Sequence, residues 1–191
     1  MIFDIPKVIL ILAKEFSKFK TPPVRTAGFQ EQEGQIRGTG DILDTVGTFM
    51  LTHHLASNNI PVKMQLALWQ GDDYDLEANG LSINLKTSAW QPSSDDFSKV
   101  NYHMAIKESE FNKLTDIFVQ TMVHLNPQAG IIPHVHFCGW IETKQLSYPL
   151  VKNQYYRDIP NTGGSMGLWI PACDLNPFSE LESYLNVKTN N

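Results

Sequence analysis

A chain of 191 residues with 42% hydrophobic and 18% charged side chains can build one sizeable core, which excludes a disordered polypeptide. Its net charge of −5 excludes an overall basic field as the route to nucleic acid and leaves that task to local potential and bound metal. The two cysteines, Cys138 and Cys173, stand in apolar runs without metal-ligand spacing, so buried, reduced thiols of a cytoplasmic protein are expected.

Residues 4–20 predict a helix, capped by Asp4, opened by Pro6 and stopped by "TPP". Its apolar run "VILILA" is too short to span a bilayer, so no membrane association is expected. Residues 21–40, with several glycines and two prolines, read as a loop or a broken helix, with "FQEQEGQI" as a candidate helical piece. A second helix is expected over 41–57, where Ile42, Val46, Phe49, Met50 and Leu55 recur near helical spacing.

The period then changes from helix to strand. Residues 62–70 alternate, with Val62, Met64, Leu66 and Leu68 on one side. Residues 74–78 and 81–90 flank Asn79-Gly80, a strong hairpin signal. A polar loop fills 91–101, and "HMAIKE" reads as a short strand. Two apolar strands follow at 115–125 and 134–141. "ETKQL" reads as a short helix or turn, "NTGGSMG" as a loop, and "PFSELESYL" as a terminal helix. The whole is one α/β domain, 1–191, with a mixed central sheet flanked by helices.

The hairpin holds the informative residues. Ser82, Asn84 and Lys86 share one strand face, while Leu81, Ile83 and Leu85 take the other. Pairing across Asn79-Gly80 brings Asp75 opposite Asn84, and Glu77 shares the face of Asp75. A carboxylate able to hold a hard cation, beside a lysine able to orient a water, is equipment for cleaving a phosphodiester. A plainer reading makes Lys86 an edge-strand lysine that blocks aggregation.

An acid, a short hairpin, then hydrophobic-(D/E)-x-K resembles the core of the PD-(D/E)XK nuclease superfamily. Here the pattern is Asp75, eight residues, then Asn84-Leu85-Lys86. The resemblance covers about residues 40–142, with helix 4–20 before and the tail 143–191 after. It implies a restriction-endonuclease-like αβββαβ core and a Mg²⁺-dependent DNA endonuclease of restriction or defence type, with Mn²⁺ as substitute ion. The implied partners are double-stranded DNA and a second copy of the chain, as a homodimer. The implied catalytic residues are Asp75, Asn84 and Lys86, with metal on Asp75, Glu77 and Asp44. DNA contacts are expected from Lys99, Arg37, Arg25, Lys152 and Arg157. Asn84 stands where the family carries an acid; Asp41, Asp72 and Asp73 are further candidates for the second carboxylate.

Two other readings compete. One is a catalytically silent protein of the same fold that binds nucleic acid or a protein partner. The other is a zinc protein using His134 and His136, which alternate on one strand but lack a third ligand at a helpful spacing.

Overall fold

The computed structural model describes residues 1–17, 39–65, 74–89, 102–111, 114–124, 133–160 and 162–188. Strand β1 (Ile2–Asp4) precedes helix α1 (Lys7–Ser17), so Asp4 belongs to a sheet rather than to a helix cap. Helix α2 (Thr39–Ser57) leads into a meander of β2 (Val62–Met64), β3 (Leu76–Ala78) and β4 (Leu81–Ala89), paired antiparallel throughout. Asn79 (φ 53°) and Gly80 (φ 80°) make the tight turn between β3 and β4. Two successive positive φ values are what a two-residue primed turn requires and what Asn-Gly tolerates.

After β4 come β5 (His103–Lys107), a 3₁₀ turn (Glu108–Glu110), β6 (Ile117–His124) and β7 (His134–Glu142). The crossover from β4 to β6 therefore holds a strand and a 3₁₀ turn among the described residues, where the αβββαβ order expects a helix. Short helices α3 (Thr143–Leu146) and α4 (Pro149–Tyr155) lead to the β8 (Tyr156–Asp158) and β9 (Met166–Pro171) hairpin. Helix α5 (Leu181–Lys188) is the last element.

Among the described residues the strands form two sheets. The larger runs β1-β7-β6-β4-β3-β2, and the smaller β5-β9-β8. In the larger sheet β4 and β6 are parallel and the other pairs antiparallel. The molecule is thus mixed α/β, with a mixed sheet and helices. One core cluster joins Ile9, Val46, Leu51 and Leu185 of the helices to Leu76, Ile83, Leu85, Val119 and Phe137 of the large sheet. A second joins Phe118 and Ile141 on its opposite face to Met104, Ile106, Leu168 and Ile170 of the small sheet.

Two local features tie these layers together. Gly47 of α2 lies against β4: a Cβ there would stand 3.2 Å from Thr87 Oγ1 and 3.5 Å from Leu85 Cδ2. A residue without Cβ lets helix and strand close at that point, at a cost of about 0.5–1 kcal/mol in helix propensity. Along β6 and β7, Gln120 pairs with Gly139 and Thr121 with Phe137, so Cys138 is an extra, bulged residue. The bulge shifts the face presented by β7, and Val135, Phe137 and then Trp140 all enter the same core.

The cysteines differ from expectation. Cys173 is exposed on a 3₁₀ turn, and only Cys138 is substantially covered. Burial pushes the Cys138 thiol up to about 12. No helix among the described residues is long and apolar enough to cross a membrane.

Candidate functional site

The site grows from the hairpin register. Leu76 faces Ile83, Glu77 faces Ser82 and Ala78 faces Leu81. Asp75 lies in the bend just before β3, where the regular ladder ends. The Asp75 amide donates to Ile83 O at 2.9 Å, and Leu85 N donates to Asp75 Oδ2 at 2.7 Å. The carboxylate is therefore anchored on the backbone of β4, one residue from Asn84 and from Lys86. Leu76, Ala78, Ile83 and Leu85 enter the helix-side core, so alternation turns Glu77, Asn84 and Lys86 to the other face, while the Asp75 carboxylate sits on the Leu85 amide between the last two.

β4 lies inside the six-stranded sheet, between β3 and β6. Lys86 pairs with Gln120 of β6 on one side, and its ammonium is turned to a carboxylate rather than to open solvent as an edge-strand guard would be. Its side chain is 18% exposed and its ammonium pairs with the Glu110 carboxylate, which is 16% exposed. The Nζ also stands 5.3 Å from the centre of the Phe118 ring. Glu110 is held from its other side, where Lys107 N donates to Oε2 at 3.0 Å. Next to Lys86 in the parallel ladder lies Gln120, 1% exposed, whose Nε2 donates to Thr121 O at 3.1 Å.

Asn84 is itself buried, at 8% exposure, beside Phe118 of β6. At the mouth of the hairpin, Asp116 and Ser82 clasp each other. Ser82 N and Oγ donate to Asp116 Oδ2 at 2.9 and 2.8 Å, and Asp116 N donates to Ser82 Oγ at 2.9 Å. This clasp fixes the start of β6 against the start of β4.

The sequence-derived residues fall into groups. Asp75, Asn84 and Lys86 come together, and Glu77 shares their face, between Lys63 and Ser82 in the ladder. Asp44 is not brought to them: it lies on the exposed side of α2, and that helix packs on the opposite face of β4. Lys152 is exposed on α4, its Nζ 5.9 Å from the Phe111 ring centre, and Arg157 is exposed on β8. Arg25, Arg37, Lys99, Asp72 and Asp73 lie outside the described residues, as does the side chain of Asp41.

Glu110 and Gln120 were missed by reading the sequence. Glu110 is 24 residues from Lys86 and meets it only because the β4–β6 crossover folds back over the sheet. Gln120 reads as one polar residue in an apolar strand, and a parallel partner for Lys86 has no short-range signature.

Among the described residues no group of three or more His, Cys, Asp or Glu could hold a metal ion. The zinc reading of His134 and His136 has no such group behind it. A hard cation that keeps most of its waters asks for less, one or two carboxylates completed by a substrate phosphate. Asp75 with the Asn84 amide beside it supplies oxygens of that kind, so the donor set fits Mg²⁺ rather than zinc.

Comparison of the chain with family models, with curated proteins and with solved structures returned no match.

Proposed function

We propose that the protein is a metal-dependent DNA endonuclease of the restriction-endonuclease-like type. The observation that carries this reading is that the Asp75 carboxylate is held on the Leu85 amide, between Asn84 and Lys86, which share the polar face of β4. The order of α2, the antiparallel meander β2–β4 and then β6 parallel to β4 supports the same core.

In this reading Asp75 and the Asn84 amide would hold Mg²⁺ or Mn²⁺, which would supply positive charge for a phosphate and acidify an attacking water. Asp75 keeps its place because the Leu85 amide holds it. Lys86 orients the attacking water or steadies the developing anion, and Glu110 is its resting partner. Two copies acting as a homodimer would cut the two strands of a duplex.

The test is incubation of purified protein with plasmid and linear DNA in Mg²⁺, Mn²⁺ or EDTA. Cleavage that EDTA abolishes is expected. Asp75→Asn and Lys86→Ala should each lower it by roughly 10²-fold or more. Asp75→Asn should leave the melting temperature little changed, because the amide oxygen still accepts from Leu85 N. Normal cleavage by both variants would remove the hairpin from the chemistry. A wild type that binds DNA but never cuts it would favour the silent reading, which the buried amide at Asn84 motivates.

A further inference from the structure

The small sheet has a second face that the hairpin site does not use. On β5 the side chains of Met104 and Ile106 are buried toward the large sheet, and on β9 Leu168 and Ile170 match them. Alternation turns His103, Ala105 and Lys107 of β5 to the outer side, with Trp169 of β9 and Arg157 of β8.

The imidazole of His103 stacks on the Trp169 indole, centroids 4.8 Å apart and planes 12° from parallel. Both residues are partly exposed. Ala105, directly opposite Trp169 in the ladder, sets nothing bulky beside the rings. Lys107 and Arg157 are both exposed and stand on either side of Gly167 in the register. Each is therefore displaced two residues along the sheet from the Trp169 row, a separation of roughly 7–8 Å on the diagonal. Among the described residues, two acids near this row turn elsewhere. Asp158 alternates away from Arg157, and the Glu108 carboxylate bonds the Tyr156 hydroxyl.

A π surface with two cations one nucleotide step away is chemistry for unpaired bases. Every base has a π-face, so stacking on aromatics is tolerant of sequence, and flanking cations take the phosphates. A duplex keeps its bases stacked on each other and cannot use the rings. We propose that this face binds single-stranded DNA, one base stacking on the His103–Trp169 pair while Lys107 and Arg157 hold its backbone. The proposal goes beyond the nuclease reading and does not need cleavage.

The test is fluorescence anisotropy of a short labelled oligothymidylate and of a duplex of equal length, with EDTA present so that no strand is cut. The single strand should bind at least about tenfold more tightly. Trp169→Ala should weaken it by at least about fivefold, the lower end of base–aromatic stacking, while Trp169→Phe stays close to wild type. Lys107→Ser and Arg157→Ser should each reduce the slope of log K against log salt by about 0.7. Equal or tighter binding of the duplex overturns the proposal, as does Trp169→Ala with undiminished affinity or the absence of oligothymidylate binding. Should Trp169→Ala prove unstable, His103→Ala and the two charge variants decide: unchanged affinity in all three overturns it. Because EDTA is present throughout, a protein that never cleaves DNA can still meet every expectation here.

Discussion

The two faces of β4 are buried to similar degrees and made of opposite materials. Toward the helices stand Ile83 at 0% and Leu85 at 8% exposure, with Gly47 drawn up against Thr87. Toward the small sheet stand Asn84 at 8% and Lys86 at 18% for its side chain. Burying an amide and an ammonium costs free energy that burying leucine does not, and a paired buried charge is seldom more stabilising than a hydrophobic residue of its size. The helix-side face explains why the chain folds. The polar face is kept at some cost to stability, which is the mark of a functional surface.

The largest expected effects test that contrast directly. Leu85→Ala should cost about 2–5 kcal/mol, as buried Leu→Ala changes do. Glu110→Ala should cost about 2–3 kcal/mol, because it leaves the Lys86 ammonium half-buried without its carboxylate. Replacing both partners, Lys86→Met with Glu110→Leu, should return stability to within about 1 kcal/mol of wild type, since an apolar pair needs no compensation. Denaturant titrations of the four proteins measure all three quantities. If Glu110→Ala is neutral, the pair is a solvated contact and the two faces differ less than their burial implies.

A smaller effect sharpens the contrast by adding charge. Asn84→Asp puts a carboxylate beside Asp75 on the polar face, and like charges at that range raise each other's pKa. Without divalent ions the variant should lose about 1–2 kcal/mol. With millimolar Mg²⁺ it should recover most of that, because a hard cation takes both carboxylates. Thermal melts with and without Mg²⁺ read this independently of cleavage. A variant that gains no more from Mg²⁺ than wild type does would argue against a cation beside Asp75.

The contrast also marks what the sequence made legible. Asn79-Gly80 announced its own turn, and alternation in 81–90 separated Ile83 and Leu85 from Asn84 and Lys86, because a period of two is written locally. Helix α2 was legible for the same reason, as its apolar spacing is local. What depends on distant segments was not. β1 is three residues long and exists because β7 accepts it, and the small sheet is built from a strand at 103–107 and a hairpin some fifty residues later. Glu110 reaches Lys86 through that same non-local packing. The metal role given to Asp44 failed to converge because helix periodicity does not tell which face of the sheet the helix will cover.

The smallest expected effect extends the two-faced pattern to β7. There Val135 and Phe137 enter the helix-side core, while His134, His136 and Cys138 alternate to the other side. Burial, with added repulsion from the Met1 α-amino group and His134, lowers His136 from its ordinary 6.5 to about 4. Between those values the unfolded chain binds a proton that the folded chain refuses. Stability from this group is therefore complete above about pH 6.5, declines as pH falls toward 4, and changes no further below that. His136 is only partly buried, so solvent screening reduces the contribution to on the order of 1 kcal/mol. Carboxylates titrate in the same window, so the useful quantity is a difference of differences. Between pH 7 and pH 5, His136→Gln should lose less stability than wild type, because glutamine takes up no proton in either state. Equal losses would mean that the imidazole is as well solvated folded as unfolded, and that the far face of β7 is ordinary surface rather than a continuation of the buried polar face of β4.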